Sequence, residues 1–175
     1  MLNYAFELSG EHQTLPRCEA LALVEMYSSS FKELCCLDQC LIIEARDLDV
    51  CTLGKRLALT HRIIEVLAIC DALPGALASA VSRLELPRKR YLVRARRIKD
   101  ASPKADEVEH EVGRVLFQKG YKADIKNPEI VLRAIISTGK IILGLEVRVV
   151  LMEDRLVARV LEELLERQFL RMNLL

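Results

Sequence analysis

Six cations crowd one short stretch of this chain: Arg88, Lys89, Arg90, Arg94, Arg96 and Arg97. Positive side chains spaced along an extended strand can track a phosphate backbone and displace its counterions. The same side chains on a solvated strand would instead pair with Glu85, Asp100 or Glu109. Taken alone, the cluster favours that second reading. Charge over longer segments shifts the balance. Residues 83–148 carry 16 Lys and Arg against 9 Asp and Glu, whereas residues 1–82 carry 6 against 11 and residues 149–175 carry 4 against 5. A net charge of +1 therefore hides a basic segment beside an acidic one, and a basic segment calls for a polyanionic partner.

Other residue types offer less. The six cysteines, Cys18, Cys35, Cys36, Cys40, Cys51 and Cys70, sit mostly in apolar runs. Cys35-Cys36-x3-Cys40 lacks paired C-x2-C knuckles and has no histidine nearby, so buried thiols are expected rather than a metal site. His12, His61 and His110 lie far apart, with no HExxH pattern. No nucleophile is marked by a motif that would bring it a partner base. Aromatic residues make up 5% of the chain and Trp is absent, which argues against an aromatic stacking platform as the main means of holding RNA. The N-terminus lacks the charge and apolar core of a signal peptide, and no apolar run reaches ~18 residues. A cytoplasmic location with reduced thiols and no membrane contact is expected.

These residues must be held by elements. Asn3–Leu8 reads as a strand, closed by Ser9-Gly10. Thr14 can cap a helix with Pro16 in its first turn and an apolar face of Leu15, Cys18, Leu21, Ala22 and Met26. Phe31–Leu37 and Cys40–Ala45 read as a hairpin around Asp38-Gln39. A helix capped by Asp47 or Asp49 runs through Leu57, and the β-branched run His61–Ile69 is a strand. The order β-α-β-β-α-β is the ferredoxin-like plan. Leu73-Pro74-Gly75 breaks the chain. A short helix, Ala76–Leu84, and a turn at Pro87-Arg88-Lys89 lead into the strand Arg90–Lys99, neither face of which is cleanly apolar. Ser102-Pro103 opens a helix with Asp106 and Glu107 at its positive end and a core stripe of Val108, Val112, Val115 and Leu116. Gly120 closes it. Ala123–Ile125 reads as a short strand and Asn127-Pro128 as a turn. Ile130–Ile136 and Ile141–Val150 form a hairpin with Gly139 at its turn. Beyond Met152, the stripe Val157, Val160, Leu161, Leu164 and Leu165 predicts an amphipathic helix. The fold class is therefore α+β: a ferredoxin-like domain over residues 1–72, a second α/β domain over 73–150, and a C-terminal amphipathic helix over 151–175.

The second unit resembles a THUMP domain, an α/β module of tRNA-modifying enzymes. The resemblance rests on YLVRARRI, EHEVGRVLFQKG and GYKADIKNPEIVLRAIIS followed by GKIILGLEV. The first unit, through FELSGEHQTLPRCEALALVE and LGKRLALTHRIIEVLAICD, resembles the N-terminal region of archaeal tRNA (guanine-N2-)methyltransferases acting at guanosine 10. Together the matches cover roughly residues 3–148. The resemblance implies a tRNA partner, with no DNA specificity, and moves the basic strand from a solvated face to an RNA contact. It adds Lys119, Lys122, Lys126, Asn127 and Arg133 as candidates for a surface holding the 3′ end of tRNA. Turn geometry alone is the other reading of Asn127, and Gly139 and Gly144 serve the backbone.

The chain departs from the family in having no glycine-rich S-adenosylmethionine loop and no Asp-Pro-Pro-Tyr or Asn-Pro-Pro-Tyr motif. It is expected to hold no cofactor and to supply recognition, while a methyltransferase domain, in cis or in trans, supplies S-adenosylmethionine chemistry. Catalysis in a cleft between the two units is the second reading. The third is a protein-interaction adaptor, with a homodimer through the C-terminal helix.

Overall fold

A strand buried on both faces needs a neighbour along each edge, and the segment LNYAFEL has both. In the computed structural model, which describes residues 1–147, this strand, β1 (Leu2–Leu8), is followed by α1 (Leu15–Tyr27), β2 (Ser30–Leu37), β3 (Cys40–Arg46), α2 (Val50–Gly54) and β4 (Thr60–Asp71). Then come α3 (Ala76–Ser82), β5 (Tyr91–Arg97), α4 (Ala105–Gln118), β6 (Ile130–Ser137) and β7 (Lys140–Glu146). The strands form one seven-stranded sheet in the order β2-β3-β1-β4-β7-β6-β5. Each neighbouring pair among its first four strands is antiparallel, with β1 between β3 and β4, the ferredoxin-like arrangement. β5 and β6 are parallel, as a crossover through α4 requires.

The two halves share this sheet. The long β4 pairs with β1 on one edge and β7 on the other, so hydrogen bonding runs unbroken past the Leu73-Pro74-Gly75 turn. A β-bulge in β4 lies in its pairing with β7, and Gly144 sits there. A Cβ added at Gly144 would lie 2.2 Å from the Glu65 carbonyl oxygen. Only glycine allows that approach.

Helices cover one face in two patches. Phe6, Leu41, Ile43 and Ile63 pack under α1 and α2. Val108, Val112, Val115 and Leu116 of α4 join Tyr91, Val93, Leu132 and Ala134 in the other. Each fully buried side chain of this kind contributes roughly 1.5–3 kcal/mol gross. On the opposite face, Ala5, Cys40, Ile42, Ile64, Ile135 and Ile142 form a third core capped by Ile98. The sheet curls around it. Ser137 Oγ donates to the Asp38 carbonyl at 2.7 Å, which joins the tips of the β2–β3 and β6–β7 hairpins although three strands separate β3 from β6.

Several expectations need correction. The α1 stripe is Pro16, Ala20 and Val24, while Leu15 and Met26 are 53% and 66% exposed. Its sequence LPRCEALALVEMY is apolar on more than one side, so spacing does not set its phase, and small Ala20 lets the helix settle on the sheet. The Thr14 side chain makes no capping bond; the His12 Nδ1 accepts from the Thr14 and Leu15 amides instead. The helix α2 ends at Gly54, with Leu57 buried just beyond it. Ala123–Ile125 is not a strand but a single bridge from Ala123 to Tyr91. Cys18, Cys35, Cys36 and Cys51 are exposed and only Cys40 is buried; Cys35 and Cys36 lie on β2, an edge strand whose residues are largely solvated. Burial pushes the Cys40 thiol up to about 12, so it stays protonated at neutral pH. The segment expected to form a C-terminal helix lies outside the described residues.

Candidate nucleic-acid interface

At one end of β5 the chain turns through Arg88 and Lys89, beside the end of α4. Gly120, with a φ of +80°, closes that helix. The Tyr121 hydroxyl donates to the Leu86 carbonyl and accepts from the Leu86 amide, both at 3.0 Å, which locks its ring. The Arg88 guanidinium lies 4.8 Å from the centre of that ring, a cation–π contact. It also donates to the Lys119 carbonyl. Together Arg88, Lys89, Arg90, Gly120, Tyr121 and Lys122 line a depression of about 240 Å³.

Arg90 organises this end rather than standing free. Its guanidinium reaches Asp124 at 3.0 Å and Glu129 at 3.1 Å, and its amide donates to Glu129. The Glu129 contact holds the Arg90 pKa above its ordinary value. Asp124 Oδ1 in turn accepts from the Asn127 and Lys126 amides, and these bonds draw its carboxyl below the usual range. The Asn127 backbone amide thus takes part in the turn. Lys119 is also engaged: its ammonium caps the end of α3 by donating to the carbonyls of Ser82, at 2.7 Å, and Leu84. Lys89, Lys122 and Lys126 are exposed and make no salt bridge or side-chain hydrogen bond among the described residues.

The remaining arginines lie elsewhere. Arg94 pairs with Glu109 at 3.6 Å and Arg97 with Asp100 at 3.9 Å, the bridges a solvated strand would make. Arg96 reaches across the curled sheet to Glu7 at 2.9 Å. Arg133 is 16% exposed on the helix-free face, where Glu146 joins it to Arg62. The structure therefore gathers Arg88, Lys89, Arg90, Lys119, Lys122, Lys126 and Asn127 at one end, runs Arg94, Arg96 and Arg97 along an edge strand, and separates Arg133 from both.

Two residues that sequence reasoning passed over belong beside this end. Arg114 and Phe117 are exposed on the outer side of α4. Their spacing with His110 marks one helical face, which could have revealed them. No group of His, Cys, Asp and Glu able to hold a metal ion occurs among the described residues. Among those residues no helix is long and apolar enough to cross a membrane.

No family model matches the chain. No curated protein matches it either. Solved structures do share its fold. TrmN from Thermus thermophilus matches with a TM-score of 0.61 at 20% identity, covering 83% of this chain and 46% of that one. A 4-thiouridine synthetase in complex with RNA and ATP matches with a TM-score of 0.52 at 15% identity, covering 85% and 42%. SMU.472 in complex with SAH matches with a TM-score of 0.54 at 12% identity, covering 83% and 41%. The chain thus has a mixed α/β fold found in proteins of which it spans less than half the length.

Proposed function

We propose that this chain is an RNA-binding module of an RNA-modification system. It holds tRNA and presents it for guanine N2-methylation by an S-adenosylmethionine-dependent methyltransferase domain outside these residues, in the same polypeptide or another. Residues 1–72 brace the sheet and residues 73–150 supply the contact surface. The observation that carries the reading is the group of uncommitted lysines around the Arg88–Tyr121 depression. It lies on a fold shared with a synthetase solved as an RNA complex. Guanine N2 and tRNA come from the resemblance in YLVRARRI and GYKADIKNPEIVLR. SAH, left when S-adenosylmethionine gives up its methyl group, occupies one structural neighbour and supports the cofactor assignment.

We place S-adenosylmethionine outside the described residues, on the character of their turns. The strand-to-helix turn after β4, Ala72-Leu73-Pro74-Gly75, carries a single glycine, and the segment between β5 and α4 carries none. In this reading the chain's work is positioning.

Titration of tRNA across a salt series tests the reading. Four to six phosphate contacts at ~0.7–0.9 each give a slope of log K against log salt of roughly −3 to −5. Lys122→Glu with Lys126→Glu should weaken binding and flatten that slope, whereas Lys32→Glu with Lys55→Glu, exposed in the acidic half, should change both far less. Absence of binding at low salt, or equal loss from the two pairs, rejects the assignment. Incubation with S-adenosylmethionine and unmodified tRNA should transfer no methyl group.

A further inference from the structure

Helix α1 has two apolar faces and buries one of them. Pro16, Ala20 and Val24 are buried, the last two in the core with Phe6 and Ile43. At about 100° per residue, Leu15, Cys18, Ala22 and Met26 share an arc of roughly 80° on the opposite side. All four are exposed, and no polar residue of the helix falls within their arc. Apolar side chains scattered singly over a surface need no explanation, but a contiguous stripe does. We infer that this stripe is a contact between two copies of the chain, whose α1 helices pack antiparallel about a two-fold axis.

The order of sizes selects a second copy. Along the helix the stripe runs large, small, small, large, and it reads the same from either end. A two-fold axis midway between Cys18 and Ala22 sets Leu15 of each copy against Met26 of the other, and Cys18 against Ala22. The small pairs let the helices approach and the large pairs close the ends. Cys18, Ala22 and Met26 also form an i, i+4 ridge, the kind that interdigitates in the commonest class of helix packing. The arc itself carries no charge to desolvate. At its sides, Arg17 is held by Glu33, Glu19 accepts from the Ala58 and Leu59 amides, and Glu25 lies outside the arc, in water. The ends agree as well. Glu11 stands before the start of α1, while Arg46, Lys55 and Arg56 outnumber Asp47 and Asp49 near its end. Antiparallel copies bring these opposite ends together. Through Arg17 and Glu33 the helix reaches β2, at the other edge of the sheet from β5, so the pairing leaves the cationic end open.

Sedimentation of the full chain should show a monomer–dimer equilibrium at roughly 1–100 μM, as a small contact gives. Ala22→Glu would bury a carboxylate without a partner and should weaken association by more than about tenfold. Its circular dichroism should match the wild type, because Ala22 is exposed. Leu34→Glu, on the edge strand β2, should change association by less than about twofold. Ala22→Cys tests the register independently, by placing a thiol opposite Cys18 of the second copy. Mild oxidation of mixed isotope-labelled and unlabelled chains should join Cys18 of one chain to the introduced thiol of the other, as read by mass spectrometry. A monomer at every concentration would overturn the inference. So would a dimer that Ala22→Glu leaves intact, by placing the contact elsewhere, or one that Leu34→Glu dissolves, by making it sheet-edge pairing. Links of Cys18 to Cys18 alone would overturn the antiparallel register. Because the stripe and the cationic end lie at opposite edges, none of these outcomes bears on RNA binding.

Discussion

Arg96 shows how far a side chain's role depends on a partner distant in sequence. In YLVRARRI it is one more cation on a basic strand. In the structure its guanidinium meets Oε1 of Glu7 in β1, whose side chain is only 2% exposed and whose Oε2 has no hydrogen-bond partner among the described residues. A buried carboxylate is costly unless a positive charge answers it. Arg96→Glu should therefore lower stability by about 1–3 kcal/mol, less than a fully buried pair would lose because Arg96 is half exposed. Arg94→Glu, against the part-exposed Glu109, should cost well under half of that. Urea unfolding measures both, and Glu7→Gln in the Arg96→Glu background should recover much of the loss. Equal, small losses would mean that Glu7 is compensated otherwise. The cationic cluster was legible in the sequence as a count. Its sorting into committed arginines and free lysines was not, because Glu7 and Glu146 meet Arg96 and Arg133 only once the strands are paired.

At the scale of elements, legibility followed how singly a segment's pattern could be read. The stripe Val108, Val112, Val115 and Leu116 gave α4 its inward face directly, with polar residues filling the positions between. Apolar residues on several sides of α1 left its phase open, and the sheet chose Ala20 and Val24. The 121–129 turn was legible from Asn127-Pro128, but its means of closure was not. Asp124 is held below its usual value of 3.8 chiefly by the Asn127 amide, and Glu129 below 4.5 by the Arg90 amide and guanidinium. A carboxyl whose folded pKa is depressed stabilises the fold above its unfolded value and loses that contribution as pH falls through the folded one. The stability difference between the wild type and Asp124→Asn should then be constant near neutrality and shrink below about pH 3.8. A difference that persists unchanged to lower pH would show that the Asp124 charge does not close the turn. The same turn carries Lys122 and Lys126, so its order sets how those cations are presented to a polyanion.

The whole molecule joins an acidic half to a basic half through one sheet, and this argues for cooperative behaviour. The strand β4 belongs to both halves, and the hairpin tips at Asp38 and Ser137 close the curl. The sequence break at Leu73-Pro74-Gly75 marked a real turn, but local composition cannot reveal that a strand ending there pairs again with one near residue 143. Strand pairing across the boundary predicts a single unfolding transition. Among the described residues, three cores are built before Val147, whose amide donates to the Ile63 carbonyl at 2.9 Å. A chain ending at Val150 should accordingly fold, associate as the full chain does, unfold in one step and bind RNA within about twofold of the full chain. Calorimetry, sedimentation and the salt series measure these outcomes. Two transitions would mean that the halves are separate folding units despite their shared sheet. Loss of the fold would mean that Val157, Val160, Leu161, Leu164 and Leu165 supply a part of the core that the curled sheet cannot supply for itself.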